Sequence, residues 1–134
     1  MNAIFAALLV AVSAGKDQAL HLYELNPKTG ALVQRAKYDL PGSPGSQCVS
    51  PDGNTLYVSV RSANSVAAFR IDHGKKTLVP LGITEIGANA AYVATDRTGR
   101  TLLWASYSDG VVGSHAIGRN GAVIKNPLSL IETA

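Results

Sequence analysis

A fixed step of 46 residues constrains this chain more than any other feature of its sequence. The stretch 50–71, SPDGNTLYVSVRSANSVAAFRI, has imperfect copies ahead of it and behind it. Gly53 answers Gly99, Thr55 answers Thr101, Leu56 answers Leu102 and Phe69 answers His115 (99−53 = 46). In the other direction Tyr23 answers Phe69, Leu25 answers Ile71 and Leu32 answers Leu78 (69−23 = 46). A period of this length, filled with short β-like runs and turns, is the sequence mark of a propeller blade.

The rest of the chain falls into place around that step. Alternating apolar and polar residues predict strands over 8–12 and 19–25, where Leu20 and Leu22 flank the polar His21. A turn at 26–30 leads to a more polar outer strand over 31–40, and the breaker cluster PGSPG at 41–45 carries the chain to the next unit. The second unit reads as an inner strand of small residues over 46–50, a tight turn at 51–54, and strands over 55–60 and 65–71 joined by 61–64. A turn at 72–76 and an outer strand over 78–86 complete it. The third unit repeats the order: crossing loop 87–89, inner strand 90–95, turn 96–100, and strands 101–106 and 111–117. Turn 118–121 and an outer strand over 122–131, broken at Pro127, follow. No amphipathic helix is expected. The fold class is therefore all-β, an open partial β-propeller of about three four-stranded blades. It forms one domain over 1–134 with repeat units at about 1–45, 46–89 and 90–134.

A propeller is stable because it closes a ring, and 134 residues hold a little under three periods. Seven units would take roughly 320 residues (7 × 46). The chain thus reads as the first two-fifths of a longer design, or as a unit whose copies complete the ring. An open stack leaves unpaired edges and an uncovered blade face, so self-association through them is expected.

Composition excludes several classes of function. The net charge of +3 comes from 12 Lys and Arg spread along the chain, with Lys75-Lys76 the only adjacent pair, and aromatics make up 6%. A nucleic-acid footprint needs clustered basic residues interleaved with stacking aromatics, so no nucleic-acid partner is expected. The single Cys48 cannot form an internal disulfide. The apolar run 3–14 resembles a signal-peptide core with a small-residue site at Ser13-Ala14-Gly15, but no Lys or Arg precedes it. Residues 9–13 also lie within a one-residue slip of the counterpart of strand 55–60. The run therefore reads as a strand, and a cytoplasmic location is expected, with export as the alternative. It is too short to span a bilayer as a helix, and no membrane partner is expected.

The segments VSPDGNTLYVSVRSANSVAAFRID and AYVATDRTGRTLLWASYSDGVVGSHAIGRNGAV, at 49–72 and 91–123, carry a family resemblance. The chain resembles the seven-bladed propeller lactonases, which include bacterial 6-phosphogluconolactonase and relatives of carboxymuconate-cycloisomerising enzymes. The likeness runs from about Leu9 to Glu132, under half of the family's length. The SPDG turn is common among propellers. The VSVRS…VAAFRID segment followed one step later by TDRTGRTLLWASY is more specific. The resemblance implies hydrolysis of sugar-acid lactones without a required cofactor. It also implies that the leading catalytic candidates, a His on the next inner strand and further Arg and Glu residues, come after a segment like SLIETA, at which this chain stops at Ala134. The catalytic residues are accordingly unknown from this chain.

In a four-stranded blade the crossing loops and the loops between second and third strands emerge on one face, here presenting Lys16, Asp17, Gln47, Arg61, Asn64, Asn89, Tyr107 and Asp109. Arg61 is the first candidate for substrate binding, because lactone hydrolysis builds negative charge on the carbonyl oxygen and a planar guanidinium can hold it. The family has an Arg at the corresponding VxVR position. The plain structural reading is a surface Arg paired to a carboxylate. Tyr107, in the same slot one step on, either donates to a sugar hydroxyl or packs over the adjacent blade. Asn89 and Gln47, at the inner strands, either bind sugar or cap loops. His115 has Ser106 and Asp109 nearby but fills the aromatic slot of Tyr23 and Phe69, so it reads as structural. His21 and His73 show no metal-site spacing, and no metal is expected. Cys48 reads as a small buried hydrophobe rather than a nucleophile. The competing functional reading is a non-catalytic propeller that binds a ligand or a protein.

Overall fold

The computed structural model describes residues 8–133. Its strands are β1 (Leu8–Ala14), β2 (Ala19–Leu25), β3 (Leu32–Asp39), β4 (Pro44–Val49), β5 (Thr55–Val60), β6 (Ser65–Asp72), β7 (Thr77–Glu85), β8 (Tyr92–Thr95), β9 (Thr101–Ser106), β10 (Val111–Ile117) and β11 (Val123–Glu132). They form three antiparallel sheets, ordered β1-β2-β3, β4-β5-β6-β7 and β8-β9-β10-β11, stacked as consecutive open blades. Among the described residues the first sheet has three strands rather than the expected four. The 46-residue step puts its counterpart of β4 at or before residue 3, outside the described residues.

The period holds at the level of single backbone pairs. Leu9 faces Glu24, Thr55 faces Arg70 and Thr101 faces Ala116, each 46 residues beyond the last. No slip is needed at the start of the chain: β1 runs to Ala14, two residues past the expected end, and Val10 stands where Leu56 and Leu102 stand. The part of the signal-like run before Leu8 lies outside the described residues. Each sheet also carries an irregularity at one slot, between Leu22 and Tyr23, Ala68 and Phe69, and Ser114 and His115. Opposite these lie Gln34, Pro80 and Pro127 on the outer strands.

That slot corrects the expected break at Pro127. Strand β11 runs on through Pro127, because an outer edge strand with a bulge tolerates a residue that has no N–H to give. A second correction concerns β4, which begins at Pro44 inside the expected crossing loop, its pairing with β5 shifting between Pro44 and Gln47.

Strand β5 explains why the stack coheres. Leu56, Val58 and Val60 turn toward the first sheet and pack with Leu20, Leu22 and Phe69. Tyr57 turns the other way and packs with Val66, Ala68, Val93, Leu102 and Trp104. A strand buried on both faces is mostly apolar, and in 55–60 the one fully buried polar side chain, Ser59, donates to the Ala90 carbonyl at 2.6 Å. Each such side chain taken out of water contributes roughly 1.5–3 kcal/mol.

The outer faces of the stack carry the same repeat positions without a neighbour. Leu103 and Val112, the counterparts of buried Tyr57 and Val66, are exposed, and with Tyr92 (64% exposed) and Ile131 they line an apolar hollow of about 380 Å³. Val12 and Leu32 are exposed on the far side of the first sheet. No helix among the described residues is long and apolar enough to cross a membrane.

Candidate functional site

Antiparallel pairing fixes which loops meet. The β1–β2 turn, the crossings β3–β4 and β7–β8, and the β5–β6 and β9–β10 connections all leave the sheets at one end, as the sequence implied. The β5–β6 connection is a single 3₁₀ turn over Arg61–Ala63, closed by Asn64 in the left-handed conformation (φ 51°). The turn is locked to the preceding crossing. The Arg61 amide donates to the Ser43 carbonyl at 2.8 Å, and the Ser43 amide donates to Ser62 Oγ at 2.8 Å. Asn64 in turn accepts the Ile86 amide at 2.9 Å, so the next crossing is tied to the same turn.

From this anchored turn the Arg61 side chain reaches the third sheet. Its Nε donates to Asn89 Oδ1 at 2.7 Å, and its guanidinium carbon stands 5.8 Å from the centre of the Tyr107 ring. The Asn89 amide donates to Asp109 Oδ2 at 2.8 Å, and the same oxygen accepts Ser106 Oγ at 3.0 Å. Arg61, Asn89, Tyr107 and Asp109 thus form one cluster across the seam between the second and third sheets. Gly45 makes room for it: a Cβ there would stand 2.9 Å from Arg61 Cδ. The neighbour of the guanidinium is therefore an amide oxygen and a ring rather than the carboxylate that a plain surface Arg would seek.

Tyr107 is 79% exposed, and its ring meets the Arg61 guanidinium of the adjacent blade. Gln47 is not brought to the cluster. Its Nε2 donates to Ser13 Oγ at 2.7 Å and to the Ala11 carbonyl at 3.3 Å, stitching the inner strand of the second sheet to β1. Asp17 lies 3.0 Å from His21 Nε2, and Lys16 is exposed beside it in the β1–β2 turn. Ser13, Gly45 and Ser106 shape this end of the molecule without any motif to mark them. The 46-residue step pairs Arg61 with Tyr107, but no spacing rule joins Asn89 to Asp109.

The electrostatics favour binding over proton transfer. The Asn89 amide, then Ser106, hold the Asp109 carboxyl below its usual value, so it stays ionised at neutral pH and is a weak base. His115 is buried away from the cluster, with Nδ1 2.9 Å from the Ile124 carbonyl oxygen and its ring 6.2 Å from Trp104. Ser106 donates to Asp109 rather than to His115, so the three do not form a triad. Burial pushes the Cys48 thiol up to about 11, which keeps it protonated and unreactive. Among the described residues no three His, Cys, Asp or Glu side chains converge as a metal site would require. Together the groups can grip an anionic or hydroxyl-rich ligand: two terminal guanidinium nitrogens, a phenol and a fixed carboxylate.

The fold and this loop end define a class, an open arc of propeller blades with a polar cluster at the seam of its second and third blades. The family model described as Lactonase, 7-bladed beta-propeller matches residues 7–131. The chain belongs to the seven-bladed β-propeller lactonase family, as the segments at 49–72 and 91–123 implied. It is 35% identical over 113 residues to the 6-phosphogluconolactonase of Erwinia tasmaniensis, covering 84% of this chain and 34% of that protein. To the 6-phosphogluconolactonase of Serratia proteamaculans it is 31% identical over 116 residues, covering 87% and 34%. The chain thus spans about one third of the length of these curated relatives. Among solved structures, it matches a Bacteroides fragilis candidate 6-phosphogluconolactonase with TM-score 0.84 and 24% identity over 98% of this chain and 38% of that one. It matches the periplasmic gluconolactonase of Pseudomonas aeruginosa with TM-score 0.81 and 18% identity, covering 96% and 40%. At these identities the structural likeness shows the fold.

Proposed function

We propose that this chain supplies the Arg61 side of the substrate site of a lactonase that, like 6-phosphogluconolactonase, opens a sugar-acid lactone. In that reaction water oxygen bonds to the lactone carbonyl carbon, the ring C–O bond breaks, and the ring oxygen leaves as a hydroxyl after taking up a proton. The carbonyl oxygen carries negative charge on the way, and the terminal nitrogens of Arg61 are the groups here that can receive it. The observation that carries the reading is the Arg61–Asn89 bond, which uses Nε and leaves the two terminal nitrogens for a ligand. Asn89 and Tyr107 hold or face sugar hydroxyls, while Gln47 contributes by fixing β4 against β1. The cluster holds no base matched to neutral pH, so the proton acceptor comes from elsewhere in the assembled enzyme. Calorimetry with a sugar-acid product tests the site: Arg61→Ala abolishes binding if the reading holds, and unchanged affinity would refute it.

The weak basicity of Asp109 favours one second reading, a propeller that binds an anionic sugar derivative without turning it over. Product binding with no hydrolysis by any assembly containing the chain distinguishes it. The uncovered positions Leu103, Val112, Tyr92 and Ile131 support self-association through the open face of the third sheet. A cytoplasmic location fits the phosphorylated-sugar substrate class, and export is the alternative that the periplasmic relative exemplifies. Cell fractionation separates these.

A further inference from the structure

At the opposite end of the stack, the two seams can be compared position by position, because the repeat supplies its own control. In the seam between the first and second sheets, Glu24 on β2 faces the turn before β7. Its carboxylate lies 3.0 Å from Lys76 Nζ and 3.7 Å from Arg35 Nη1. One step on, in the seam between the second and third sheets, the counterpart of Glu24 is Arg70, paired with Thr55 as Glu24 is with Leu9. The acid that neutralised this slot has become a base. The turn it faces, before β11, carries Arg119, and both arginines line a groove of about 280 Å³ with Asn54, Thr98 and Asn120.

No ion pair or hydrogen bond among the described residues engages the guanidinium of Arg70 or of Arg119. The acids nearby stay ionised, but neutral donors hold them and neither forms an ion pair with Arg70 or Arg119 among the described residues. Asp52 lines the groove, but its Oδ1 accepts Ser50 Oγ at 2.6 Å and the Asn54 amide at 3.0 Å. Asp72, whose charge Arg70 feels, accepts the Lys75 amide at 2.9 Å. The groove is held open by a fixed contact, Tyr57 Oη donating to the Gly121 carbonyl at 2.7 Å across the seam.

We infer that this groove binds a compact dianion of the phosphate class, seated between Arg70 and Arg119. Two guanidinium forks and flanking amide and hydroxyl groups match the several acceptor oxygens of such an ion. The site lies at the end of the blades opposite Arg61, so it does not depend on the lactonase reading.

The test follows the Arg Nε–H signals of the protein by NMR while inorganic phosphate is added at constant ionic strength, with chloride as the control anion. Saturable shifts at Arg70 and Arg119 are expected with phosphate and not with chloride. Arg70→Gln and Arg119→Gln should each weaken binding at least tenfold, and both side chains are exposed, so the fold tolerates the change. Lys125→Gln, at an exposed position outside the groove, should leave the affinity unchanged. Equal shifts with chloride, wild-type affinity in both Gln variants, or loss of binding in Lys125→Gln alone would overturn the assignment.

Discussion

Arg61 and Asn89 meet side chain to side chain across a blade seam, Nε donating to Oδ1 at 2.7 Å. The bond joins the β5–β6 turn of one sheet to the crossing loop that enters the next, so the guanidinium is aimed by both blades at once. Asn89→Ala should therefore leave the charge in place but release its aim. Sugar-acid affinity measured by calorimetry is expected to fall roughly tenfold, the worth of one charge-assisted hydrogen bond. The melting temperature should stay within about 2 °C, because the loop is at the surface.

Gly45→Ala attacks the same aim from behind, since its Cβ would stand 2.9 Å from Arg61 Cδ. The side chain must swing away, and affinity should fall as far as in Asn89→Ala. Combining the two changes should add little to either alone, a non-additivity read from the double-mutant cycle.

Gly113 lies under the Trp104 ring, and a methyl group there would overlap the indole. Gly113→Ala should destabilise the chain by roughly 1–3 kcal/mol in urea unfolding followed by tryptophan fluorescence. Lys16→Gln, at an exposed turn position, is the control and should be near neutral.

Asp109 gives a pH dependence whose sign can be worked out. Its folded-state value is depressed, first by the Asn89 amide and then by Ser106. The stability it contributes is fully present above the ordinary value of 3.8 and is lost as pH falls through the lower folded value. Asp109→Asn should flatten the acid limb of the stability curve below about pH 4 and leave the neutral region unaltered. An acid limb identical to wild type would refute this role.

The open face of the third sheet should make the chain self-associate. Light scattering is expected to give a mass above 13.9 kDa that falls to the monomer value in Val112→Lys. A monomer in both proteins would show that the face stays uncovered in solution.

Much of this was legible in the sequence because the same physics is written three times. Strands such as 19–25 and 55–60 have the bounds that alternation and turn residues imply. Pro127 misled because a rule about proline in central strands does not hold on an outer edge with a bulge opposite His115. The polar cluster was half visible: the repeat places Arg61 and Tyr107 together, but the Asn89–Asp109 bond links a crossing loop to a hairpin of the same sheet, a tertiary contact with no spacing signature. The partner of Gln47 was hidden for a similar reason. That residue, Ser13, lies on the neighbouring blade, and only packing decides which way an inner-strand amide turns.

The central claim is that Arg61 stabilises charge on a lactone carbonyl. Acid release from a sugar-acid lactone by the assembled enzyme, compared among wild type, Arg61→Lys and Arg61→Ala, tests it most directly. The account predicts kcat/KM falling in that order, with the alanine variant down on the order of a hundredfold, the scale of one lost oxyanion donor. Equal rates in all three proteins would contradict it.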